Sequence, residues 1–165
     1  MKGLMLCIAL MLFANCGSPQ QRLVERSEKE SRANPNSPEK HCELGKAYLQ
    51  SGGSPNVEKA IHAFEQAIRL RYDYPEAHYQ LGIAYHKLHT MQVKQPHPQE
   101  EIEALKTAIE QRPDYVDAYV SLGHASMPTD GSLDRLGALR QAEALFRKAL
   151  EINRGFIDAY DGLTS

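Results

Sequence analysis

The stretch Leu44-Gly45-Lys46-Ala47-Tyr48 decides the fold, because it returns as Leu81-Gly82-Ile83-Ala84-Tyr85 and again as Leu122-Gly123-His124-Ala125-Ser126. A second, alanine-rich signature follows each copy. Ala60, Phe64 and Ala67 stand four and three residues apart, and Ala142, Phe146 and Ala149 repeat that spacing. Leu105 and Ala108 make a weaker middle copy, with Glu101 where the first alanine falls. Residues three and four apart share one face of an α-helix. The two signatures therefore predict paired helices. Glycine and alanine let the pair approach closely, and Leu, Tyr and Phe fill the remaining space. Such a hairpin leaves an apolar edge for the next one to cover, and self-similarity at a regular period marks a helical solenoid.

Short connectors close each second helix: Arg71-Tyr72-Asp73-Tyr74, Arg112-Pro113-Asp114-Tyr115 and Arg154-Gly155-Phe156. A helix start then follows, at Pro75-Glu76-Ala77-His78, Val116-Asp117-Ala118-Tyr119 and Ile157-Asp158-Ala159-Tyr160. Taken together, residues 34 to 163 resemble the tetratricopeptide repeat (TPR) family. The resemblance implies an all-α fold: a right-handed α-solenoid of about three TPR-like hairpins. The segment from Ile157 to Leu163 would be a short C-terminal capping helix. Some positions depart from the family pattern. His41 and His78 replace a large apolar residue early in the first helix, Ser126 replaces tyrosine, and Tyr72 and Arg154 replace the connector proline that Pro113 keeps.

The period is long. Leu44 to Leu81 is 37 residues and Leu81 to Leu122 is 41, against about 34 in the family. The extra residues fall between the two helices of a hairpin, at Ser51-Gly52-Gly53-Ser54-Pro55, at 91–98 and at 127–131. Their proline, glycine and serine predict extended inter-helix loops on one side of the stack. Such loops read either as tolerated lengthening, which costs little, or as part of a binding face.

In the family the first helix of each hairpin lines a concave groove. Carried over, that lining is Glu39, Cys42, Lys46 and Leu49, then Glu76, Tyr79, Ile83, His86 and Lys87, then Asp117, Val120 and His124. The partner-binding candidates are Tyr79, Ile83, His86, Val120, His124, Lys46 and Leu49. A lining this mixed suits an apolar or amphipathic peptide or helix, with Tyr79 as its anchor. The family also uses a clamp of Lys, Arg and Asn around a C-terminal carboxylate. The corresponding positions here, Cys42, Glu43, Lys46, Tyr79 and Gln80, hold one cation, so chaperone-tail recognition is not expected.

The N-terminus reads Met1-Lys2 and then runs apolar from Gly3 to Ala14. That run is too short to span a bilayer and suits the apolar region of a signal peptide, with Lys2 as its positive start. It ends in Phe13-Ala14-Asn15-Cys16, which resembles a bacterial lipoprotein signal. Residues 1–15 would be removed and Cys16 would carry lipid, anchoring the chain to a membrane. With no Asp after Cys16, the resemblance implies an outer-membrane lipoprotein facing the periplasm. An ordinary signal cleavage, giving a secreted or periplasmic soluble protein, is the competing reading. Residues 16–37 are polar and read as a tether. Within them, Gln20 to Ala33 is a candidate helix that caps the first hairpin with its charged face. The repeat domain then covers 38–165.

Composition narrows the chemistry. The net charge is −2, and residues 1–15 hold Lys2 and no acid, so their removal gives −3. No basic stripe points to nucleic acid. Cys42 remains as a single thiol, too few for an internal disulfide. His86, His89 and His97 are the one histidine cluster, without the spacing of a metal motif. There is no nucleophile motif and no phosphate-binding loop. The expectation is therefore a non-enzymatic protein-interaction scaffold of the bacterial envelope, with no cofactor and no metal. The alternatives are an accessory module for a small ligand, metal or cell-wall fragment, or a piece of a larger TPR-containing protein.

Overall fold

The computed structural model describes residues 18–91, 98–127 and 135–154. Among them are seven helices and no strand: α1 (Pro19–Ala33), α2 (Pro38–Ser51), α3 (Ser54–Leu70), α4 (Pro75–Met91), α5 (Pro98–Gln111), α6 (Val116–Ala125) and α7 (Arg135–Ile152). The first fifteen residues, Cys16 and the segment from Ile157 to Leu163 lie outside the described residues.

Local chemistry explains the helix starts. Ser18 and Gln21 form a reciprocal capping box, with bonds of 2.8 and 3.2 Å. Ser37 caps α2 by accepting from the Lys40 amide at 3.3 Å. Prolines stand at or next to the first position of α1, α2 and α3, where a missing N–H is harmless. The expected loop over Ser51–Pro55 is tighter than its composition suggests. Ser51 ends α2, Ser54 and Pro55 begin α3, and Gly52 and Gly53 alone turn the chain, with φ of 72° and 82°. Left-handed φ at both positions is why glycine stands there. The other two expected loops lie mostly outside the described residues.

The helices pair as the repeat predicts. Each packs chiefly on its neighbours in sequence, while α2 meets α4 and α4 meets α6 along their edges. Every hairpin is joined by the same socket. A methyl group placed on Gly45 would sit 2.5 Å from the Phe64 ring, on Gly82 2.7 Å from Leu105, and on Gly123 2.6 Å from Phe146. Phe64, Leu105 and Phe146 are essentially fully buried, with Ala60, Ala67, Ala108, Ala142 and Ala149 flanking them. The glycines thus let a large side chain reach the backbone of the facing helix.

The helix α1 packs on α2 as α3 packs on α4. Its connector, Asn34-Pro35-Asn36-Ser37, has the length of Arg71–Tyr74 and Arg112–Tyr115. In register α1 thus occupies the place of a hairpin's second helix. It is held by the Tyr48 hydroxyl donating to Glu28 at 2.6 Å, by a Lys40–Glu30 ion pair at 2.9 Å, and by Ser31 and His41 at 3.2 Å. Burial and the Glu28 carboxylate push the Tyr48 phenol up to about 12, so it remains a donor. Tyr48→Phe should cost about 1 kcal/mol. Amide exchange would show the loss as a roughly fivefold drop in protection confined to α1. An unchanged α1 would mean that apolar packing alone holds it.

The two histidines that depart from the family pattern have a structural role. His41 Nε2 lies 2.8 Å from the Pro35 carbonyl, and His78 Nε2 lies 3.0 Å from the Tyr72 carbonyl. Both contacts reach back six residues, so each imidazole ties the start of its helix to the connector before it. His78 is buried, which lowers its pKa and favours the neutral ring that donates this bond.

Candidate functional site

The first helices of the three hairpins, α2, α4 and α6, carry the predicted groove residues. Their accessibility differs by helix. Cys42 and Leu49 on α2 are 1 % and 7 % exposed, and Val120 on α6 is 6 % exposed. These three belong to the core, which corrects their assignment to the groove. Tyr74 folds over Cys42, Leu49 packs in the cluster with Ala60 and Leu88, and Val120 packs with Phe146. Burial pushes the Cys42 thiol up, as expected for an inert buried cysteine.

Helix α4 presents more. Tyr79 is half-buried, its ring 4.9 Å from that of Tyr115. Ile83 is half-buried against the core, and His86 is exposed. On α6, His124 is exposed and rests edge-on against Phe146 at 5.0 Å. On α2, Lys46 is half-exposed and pairs with Glu76 at 2.8 Å.

Two of the acids at the helix starts, Glu39 and Glu76, are engaged by neighbours. Glu76 is a junction between hairpins. It takes the Lys46 ammonium from α2, the Tyr115 hydroxyl at 2.5 Å from the α5–α6 connector, and Gln80 at 3.2 Å. Burial alone would raise its pKa, but these donors outweigh burial and hold the carboxyl below its usual value. Glu39 receives Arg71 at 2.7 Å. The Arg71 guanidinium also stacks on Tyr74 at 3.9 Å, and Arg112 stacks on Tyr115 at 4.5 Å. These two connectors therefore each carry an arginine–tyrosine stack.

Sequence reasoning missed this network. The Arg-x-x-Tyr spacing in two successive connectors was the available signal. It also left Glu101 as a mere departure from alanine. In the fold Glu101 is 4 % exposed and accepts from His86 Nδ1 at 3.1 Å. His86 and His89 share α4, while His97 lies outside the described residues. Among the described residues, no three His, Cys, Asp or Glu side chains are placed to hold a metal ion. No described helix is long and apolar enough to cross a membrane.

The fold is an all-α solenoid of paired helices. Residues 56–88 match the family model described as TPR repeat. No curated protein matches the chain. Among solved structures, MamA superposes with a TM-score of 0.67 at 29% identity, over 85% of this chain and 72% of MamA. TTC0263, a thermophilic TPR protein in Thermus thermophilus, gives 0.67 at 20% identity, over 86% of this chain and 69% of its own. The first TPR of Spaghetti (RPAP3), solved bound to the HSP90 peptide SRMEEVD, gives 0.61 at 18% identity, over 75% of this chain and 85% of its own.

Proposed function

We propose that the chain is a protein-interaction scaffold that seats a peptide or helix of a partner against the face of α4. One observation carries this reading. Where α2 and α6 bury Cys42, Leu49 and Val120, α4 leaves Tyr79 half-buried and His86 exposed at the equivalent positions, with Ile83 between them. An amphipathic aromatic beside an aliphatic side chain is the usual anchor of a bound peptide. Lys46 is already engaged by Glu76, so the face offers no cationic clamp and favours an apolar or amphipathic segment over an acidic tail. The RPAP3 and HSP90 peptide complex is an example of this fold holding a peptide.

Tyr79→Ala combined with Ile83→Ala should abolish capture of the partner in an in-cell crosslink and pull-down while leaving helicity intact. Loss of helical signal in the double variant would instead assign both residues to the core. The proposed setting is the bacterial envelope, through the lipoprotein-like Cys16, with outer-membrane anchoring facing the periplasm. Cys16→Ser should then release the protein from the membrane fraction. A variant that stays membrane-bound would end the anchoring half of the proposal and leave the groove untouched.

A further inference from the structure

We propose that His86 and Glu101 form a proton-operated clasp joining α4 to α5, which loosens the middle hairpin as pH rises. The register supports this. Glu101 occupies the position of Ala60 and Ala142, which is buried in all three second helices. His86 occupies the position of Leu49, five residues after the repeat leucine. An apolar contact in the first hairpin is thus replaced in the second by two ionisable groups. Glu101 Oε1 and His86 Nδ1 are 3.1 Å apart, with the carboxylate side chain 6% exposed and the imidazole 53%. The imidazole edge gives the proton a path to water.

A buried carboxylate is costly unless a partner compensates it. With one proton shared, the pair is neutral overall. Without it, a negative charge stays in the helix interface. Among the described residues, the charges acting on Glu101 are those of His86 and His89, both on α4. On the adjoining side Glu65 of α3 and Glu100 of α5 act on Tyr85. Burial holds the Glu101 carboxyl above its usual value of 4.5 despite both histidines. A group whose pKa is raised in the fold binds its proton more readily there than in the unfolded chain. Its stabilisation is complete below about 4.5 and is lost as pH climbs through the raised value.

Urea melts at pH 5, 6.5 and 8 test this with the full chain, its Glu101→Gln variant, and a Glu101→Ala/His86→Leu double variant that restores the apolar pairing of the first hairpin. The midpoints of both variants should gain on the wild type as pH rises. A gap that stays constant with pH overturns the clasp. Should either variant fail to fold, amide exchange on the wild type decides. After correction for intrinsic rates, protection of α5 should fall between pH 5 and 8 while α3 holds. Equal protection at both pH values overturns the clasp as well.

Discussion

Phe64→Ala should destabilise the stack by about 3–5 kcal/mol. The ring is fully buried, seated on Gly45 of the facing helix, and enclosed by a cluster drawn from α2, α3 and α4. Truncation removes the ring's transfer free energy and leaves a cavity whose walls cannot collapse. The wall at Gly45 is backbone, and those at Ala60 and Ala67 are methyl groups too short to reach in. Each hairpin leans on the next, so the loss should appear in the whole cooperative unit and not only in the first hairpin. Denaturant melts followed by circular dichroism measure it. A cost below about 1 kcal/mol would mean that the ring does not fill the socket described.

The complementary change is Gly45→Ala. Its new methyl would stand 2.5, 2.7 and 2.8 Å from three atoms of the Phe64 ring, closer than packed carbon atoms can stand. Overpacking of this kind costs about 1–3 kcal/mol. Alanine offsets about 1 kcal/mol of that through its better helix propensity. A net loss of up to about 2 kcal/mol is expected. The sharper test is the pair. In the Phe64→Ala background the methyl enters the vacated space, so Gly45→Ala should become neutral or stabilising there. An equal cost in both backgrounds would rule out direct contact as its cause.

Much of this fold was legible in the sequence. The glycine and the large apolar residue recur at fixed positions because each is needed by the other, and that mutual need leaves a repeating trace. The helix α1 was legible for a similar reason, since its charged residues and the Asn34-Pro35 stop are local signals. The site was less legible. Cys42, Leu49 and Val120 occupy groove positions, yet their exposure depends on what folds over them. For Cys42 that is Tyr74, a connector residue thirty-two positions on. The role of His41 and His78 was hidden because their partners are backbone carbonyls, which carry no residue identity. The Gly52–Gly53 corner was misjudged because serine and proline serve both loops and helix starts. Proline at a first helical position was the clue that Ser54-Pro55 belonged to α3.

The backward reach of His41 and His78 bears on how such a chain could be lengthened or shuffled. Each imidazole and its carbonyl lie in one continuous segment running from a second helix through its connector into the next first helix. The arginine–tyrosine stacks lie in the same kind of segment. A block cut at the inter-helix corners, such as 54–91, would carry its own fastenings with it. What it would need from its neighbours is a glycine to receive its Phe64 and a large apolar side chain to rest on its Gly82, and the chain supplies that exchange at every junction. The interchangeable brick of this solenoid is therefore not the hairpin that the eye picks out but the elbow between hairpins. Duplicating that elbow extends the stack with the same glycine socket, and leaves His86 of α4 facing the Ala60 position of the copy.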